Sequence, residues 1–167
     1  MQATPQRRTP ISVDTPASDR ELVLTRLIDA PREKLFRAWT EPQLLKQWFT
    51  PAPYTTPVAE LDYGPAAPTW LSCAVPTATS SPTGGSIWKS SKTSAWFFTD
   101  AYSEAWKPSE KPFMTVIVTF ENESGKTRYT ARARHWTVAD REAHEKMGFH
   151  QGWGICADQL TALVTKI

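Results

Sequence analysis

Blocks of alternating and of helically spaced apolar residues divide the chain into a strand, two helices, a run of strands and a closing helix. Glu21-Leu22-Val23-Leu24-Thr25-Arg26-Leu27-Ile28 is rich in β-branched and aliphatic side chains and predicts a strand. Asp29-Ala30-Pro31 ends it and starts a helix, since proline suits the first helical turn, where its missing N–H costs nothing. Leu35, Phe36 and Trp39 fall on one side of that helix. A second helix is expected at once, with Thr40 as N-cap, Gln43 at the capping-box position, and Leu44, Leu45 and Trp48 as its buried stripe. Pro51 and Pro53 stop it. Thr55–Asp62 reads as a strand that Pro57 confines to an edge or a bulge.

Further along, Trp96–Tyr102 predicts a strand and Glu104–Pro112 a polar loop. Phe113–Glu121 and Lys126–Thr137 form a hairpin around Asn122-Glu123-Ser124-Gly125. In its second strand Arg128, Thr130, Arg132 and Arg134 share one face, and Tyr129, Ala131, Ala133 and His135 share the other. Three arginines on one face want water, so the opposite face is expected to look inward, with its two alanines leaving room. Ala139–Lys146 is a polar helical turn. After Met147-Gly148 a longer helix follows, with Trp153, Cys156, Ala157, Leu160, Val164 and Ile167 as its inward stripe. That order predicts an α+β domain in which a curved antiparallel sheet wraps one long helix.

The chain has 167 residues, which suits one domain able to bury a core without staples. Residues 1–19 carry Pro5, Pro10 and Pro16 among scattered Ser and Thr, and are expected to be a disordered leader before a single domain at 20–167. The net charge of +2, with basic and acidic residues interleaved, argues against a nucleic-acid partner. No stretch approaches the length of a membrane span, and the N-terminus lacks the apolar run of a signal peptide. Two cysteines, Cys73 and Cys156, form neither a disulfide framework nor a zinc site, so reduced thiols in the cytoplasm are expected.

Several phrases resemble a known family. Glu21-Leu-Val-Leu-Thr-Arg26, Asp29-Ala-Pro-Arg-Glu-Lys-Leu-Phe-Arg-Ala-Trp39 and Leu45-Lys-Gln-Trp48-Phe49 are similar to the opening strand and helix pair of SRPBCC (START-like, helix-grip) domains. Phe98-Thr-Asp-Ala-Tyr102, Pro108–Thr115, Ala133-Arg-His-Trp136-Thr137 and Met147-Gly-Phe-His-Gln-Gly-Trp153 resemble the branch named after the activator of the heat-shock-protein-ninety ATPase. The resemblance covers 20–62 and 97–167. It implies a sheet of up to seven antiparallel strands gripping the C-terminal helix, two short helices after the first strand, and an apolar cavity between sheet and helix.

Residues 64–95 depart from that pattern. Of these 32 residues, 24 are Ser, Thr, Ala, Pro or Gly, and no charge occurs from Tyr63 through Trp88. The family has a strand, a turn and a strand there, whereas this composition predicts none. A reading frame shifted by one base, with GC-rich third positions, spells from Gly64 a strand, a Gly-Pro-Asp-Gly turn and a second strand, and rejoins at Phe98-Thr-Asp100. One base lost near Tyr63 and one gained near Phe97 account for it. The hypothesis is a compensated frameshift, which a nucleotide sequence with stops in the shifted frame would exclude. Two central strands are then expected to be lost and their neighbours left without ladder partners.

Candidate chemistry is sparse. His135 faces inward beside Ala131 and Ala133, and His150 neighbours Trp153. With His144 they lack H-x-x-x-H and H-E-x-x-H spacing, so no metal site is expected. No nucleophile elbow or phosphate loop stands out, Asp100 and Glu104 read as solvated carboxylates, and no motif implies a cofactor. The aromatic set Trp48, Phe98, Trp106, Phe113, Trp136, Phe149 and Trp153 is too large for a solid core and points to a cavity, with Tyr129, His135 and His150 as polar anchors. The expected function is non-catalytic binding of a small apolar or aromatic molecule by a monomer or weak dimer. The resemblance leaves two alternatives, a co-chaperone-like protein partner connected with stress response and a cyclase-like enzyme using His135.

Overall fold

A computed structural model describes residues 16–61, 68–75, 78–79, 83–89, 94–102 and 107–167, the segments 68–75, 78–79 and 83–89 by their backbone. The most local element is the hairpin of β7 (Met114–Glu123) and β8 (Lys126–His135). Ser124 and Gly125 turn it with φ of 51° and 84°, the two positive values that match the twist of a tight hairpin. β1 (Glu21–Ile28) pairs antiparallel with the far side of β8. β6 (Ala95–Thr99) pairs with β7.

The sheet continues through β5 (Thr83–Lys89) and β3 (Pro68–Val75) to β2 (Thr55–Glu60), with the two-residue β4 (Ala78–Thr79) on β3. The whole order is β1-β8-β7-β6-β5-β3-β2. Pro57 sits where the register of edge strand β2 shifts, as its missing N–H requires. The expected loss of two central strands is thus corrected: β3 and β5 keep both β2 and β6 in ladders. A ladder is built from backbone groups, and Thr69, Trp70, Leu71, Cys73, Val75, Thr83, Ile87 and Trp88 supply enough β-favouring residues among the small ones. Residues 64–67, 76–77, 80–82 and 90–93, like Trp106 and residues 1–15, lie outside the described residues.

Helices α1 (Arg32–Thr40) and α2 (Pro42–Leu45) follow β1, and α3 (Val138–Lys146) and α4 (Phe149–Val164) follow β8. Thr40 is not the N-cap of α2. It ends α1, and its hydroxyl donates to the Phe36 carbonyl at 2.8 Å, while Glu41 takes the cap position without a side-chain bond. Leu35, Phe36 and Trp39 of α1 pack with Ala157, Leu160 and Val164 of α4 and with Val118, Phe120 and Tyr129 of the sheet in one core. Ile167 lies beyond the end of α4 and is exposed.

The arginine face of β8 also departs from expectation. Arg132 is buried, because Glu21 on the adjoining strand accepts from Arg132 Nη1 at 2.6 Å and from Arg134 Nε at 2.7 Å. The end of the expected leader closes over this cluster. Ala17 N–H donates to Glu21 Oε2 at 2.7 Å, and Arg141 donates to the Asp19 carbonyl. No helix among the described residues is long and apolar enough to cross a membrane.

Candidate functional site

Between the concave sheet and α4 the packing leaves a cavity of about 410 Å³. That volume lies within the range of small-molecule sites, about 300–1,000 Å³. Trp39 from α1, Trp48, Phe49 and Pro51 from the segment around and after α2, and Trp96 and Phe98 from β6 form one side. Met114, Val116 and Tyr129 form the floor, and His144, Met147, Phe149, Trp153 and Cys156 form the side made by α3 and α4. Large flat rings set this shape. Trp39 meets Trp48 edge-on at 4.7 Å and Trp96 at 4.5 Å, and Trp96 stacks on Phe98 at 6.2 Å. Rings held in such offset and edge-to-face contacts cannot collapse to fill the remaining space.

The polar atoms of this wall are few. The Trp48 indole donates to the Ala38 carbonyl at 3.0 Å and is satisfied. The buried indole N–H groups of Trp39 and Trp96 have no partner among the described residues. Trp39 Nε1 approaches the Tyr129 hydroxyl but falls short of hydrogen-bond geometry. Each such buried donor costs on the order of 1–3 kcal/mol while it stays unpaired. Burial, followed by the neighbouring Cys156, pushes the Tyr129 phenol well above its ordinary value, so the hydroxyl keeps its proton. Cys156 Sγ donates to the Phe49 carbonyl at 3.3 Å.

His135 is buried but does not line the cavity. Its Nδ1 bonds the Arg20 carbonyl at 3.0 Å, and its Nε2 lies 2.9 Å from Nδ1 of His144, which does line it. Burial, and then the charge of His135, pull His144 down to about 4, so it is neutral at ordinary pH. Phe113 packs against both imidazoles at 5.4 Å. No group of three metal-ligating side chains gathers among the described residues.

Of the residues expected to form the site, Trp48, Phe98, Tyr129, Phe149 and Trp153 meet on the wall, and Phe113 and His135 stand one layer behind it. His150 is exposed, with only its ring edge near Phe149, and Trp136 is 53% exposed. Ala131 and Ala133 are fully buried and open no space; Tyr129 represents β8 in the wall. Asp100 is half-buried rather than solvated. Its carboxylate accepts from the Phe113 and Met114 N–H groups, while burial, only partly offset by those bonds, raises its pKa. Trp39, Trp96 and His144 were not anticipated as site residues. Trp96 could have been, because it is two residues from Phe98 and so shares its face of the strand. His144 sits in a polar stretch with no apolar signal at all.

The sequence profile of the Activator of Hsp90 ATPase homolog 1-like protein family matches residues 29–165. A crystal structure of a protein from Nitrosomonas europaea is similar at 32% identity, with a TM-score of 0.84, over 89% of this chain and 96% of that one. A protein from Rhodobacter sphaeroides shares the fold at 14% identity and a TM-score of 0.78, over 92% and 97% of the two chains. The AHSA1-like protein from Aeromonas hydrophila does so at 15% identity and 0.62, over 87% and 93%. No curated protein matches.

Proposed function

This chain belongs to the Activator of Hsp90 ATPase homolog 1-like branch of the SRPBCC superfamily, and from that premise we propose that it binds a small aromatic molecule, without covalent chemistry, between the sheet and α4. The observation that carries the reading is a largely apolar cavity of about 410 Å³ walled by aromatic rings, two of which, Trp39 and Trp96, hold buried indole N–H groups unpartnered among the described residues. An apolar molecule gains from leaving water, and an acceptor oxygen that reaches either N–H relieves it. A flat aromatic ketone meets both demands. The proposal includes a cytoplasmic monomer or weak dimer with the small molecule as its partner.

Benzophenone and diphenylmethane differ only in the carbonyl, so they test it. Both are expected to bind at one site per chain, benzophenone roughly fivefold tighter for its added hydrogen bond. Native mass spectrometry of the isolated protein should also show a retained small molecule. Absence of saturable binding of either compound overturns the reading. The enzymatic alternative has one observation in its favour, a second titratable group, His144, within hydrogen-bond reach of His135.

A further inference from the structure

We propose that Nε2 of His144 selects ligands carrying a hydroxyl group, and that His135 is the positioning residue that keeps this atom an acceptor. The inference rests on the cavity reading above and specifies the ligand further.

A carbonyl oxygen only accepts, so the contact with Arg20 places a hydrogen on Nδ1 of His135. In the neutral ring Nε2 of His135 is then bare, and His144 must donate to it from Nδ1. That fixes His144 as the Nδ1–H tautomer. Its remaining nitrogen, Nε2, carries a lone pair, belongs to a residue of the cavity wall, and has no hydrogen-bond partner among the described residues. The cavity therefore offers two kinds of polar contact. On the reading above Trp39 and Trp96 supply the donors, and His144 adds an acceptor. A ligand that satisfies both carries an acceptor oxygen toward the tryptophans and an O–H toward α3.

The charged groups around the pair come from several elements. Arg20 and Glu21 lie at the start of β1, Arg134 on β8 itself, and Asp100 before β7 feels the His135 charge. From α3, Arg141 is held by Glu145 and by the Asp19 carbonyl. Phe113, just before β7, and Phe149 of α4 pack against His144.

The test uses 4-phenylphenol, 4-methoxybiphenyl and biphenyl, titrated calorimetrically into the full chain at about pH 8, where histidine is ordinarily neutral. The phenol is expected to bind roughly five- to tenfold tighter than its methyl ether, the effect of one hydrogen bond. In His144→Phe the preference should vanish while biphenyl still binds. Long-range ¹H–¹⁵N correlation on the wild-type chain, which needs no variant to fold, should place the His144 hydrogen on Nδ1 at about pH 8. In His135→Phe, His144 is expected to lose that constraint, and the phenol its advantage. Equal affinities for phenol and ether, a preference that survives in His144→Phe, or a hydrogen on His144 Nε2 at about pH 8 overturns the proposal while leaving the cavity reading intact. If none of the three compounds binds, both readings fall.

Discussion

The rings of Trp39 and Trp96 meet with centroids 4.5 Å apart at a 45° tilt, and both N–H groups end inside the protein without an acceptor among the described residues. A third tryptophan beside them, Trp48, is satisfied by the Ala38 carbonyl. The contrast separates donors used by the fold from donors left for something else. Trp96→Phe removes one orphaned donor along with part of a buried ring, and the two effects oppose each other. Stability should change by no more than about 1 kcal/mol, whereas benzophenone should bind roughly fivefold more weakly. Trp48→Phe loses a made bond and buried area together, and should cost about 2 kcal/mol. Urea denaturation and titration of the two variants check both statements.

Glu21 and Arg132 form a buried pair whose loss leaves a stranded guanidinium. Glu21→Gln should lower stability by about 3 kcal/mol, measured by urea denaturation at neutral pH. Burial alone raises the Glu21 carboxyl, but the Ala17 N–H and the guanidinium groups of Arg132 and Arg134 outweigh it and hold the group below 4.5. A depressed folded pKa means that this stability is fully present above the unfolded value of about 4.5 and is lost as pH falls through the folded one. The acid limb of the stability profile should therefore flatten in Glu21→Gln.

Gly148 joins α3 to α4 with φ of 92°, a left-handed conformation, and it lies between His144 and Phe149 on the cavity wall. An added Cβ would meet only Gln151 Oε1 at 4.0 Å, so the cost of Gly148→Ala is backbone strain, about 1 kcal/mol. Gly152, inside α4, has nothing within 4 Å of such a Cβ. Gly152→Ala should stabilise the helix by up to about 1 kcal/mol. Opposite shifts in melting temperature are the expected result.

Leu160 is fully buried where α4 crosses the core. Leu160→Ala should cost between about 2 and about 5 kcal/mol, depending on how far the neighbours relax, with denaturant midpoints as the readout.

What the sequence discloses here follows from how local each signal is. β1, the β7–β8 hairpin and the stripe Ala157, Leu160 and Val164 were legible, because periodicity and turn chemistry act within a few residues. Arg132 was misjudged, since its partner Glu21 is 111 positions away and only strand pairing brings them together. His144 was missed for a similar reason. Its neighbours in the chain are polar, and its role comes from His135 across the β8–α3 corner. The strands β3 and β5 were unreadable from composition, because a ladder held by β2 and β6 asks little of its side chains. The aromatic residues announced a cavity but not their division of labour, which depends on where each indole N–H ends.

Indole N–H resonances of ¹⁵N-tryptophan-labelled protein, followed while benzophenone is added, test the central claim directly. Trp39 and Trp96 should shift most and saturate together at one equivalent, with Trp48, already bonded to Ala38, moving less. Saturating shifts confined to the exposed Trp136, or no shift at Trp39 and Trp96, would contradict it.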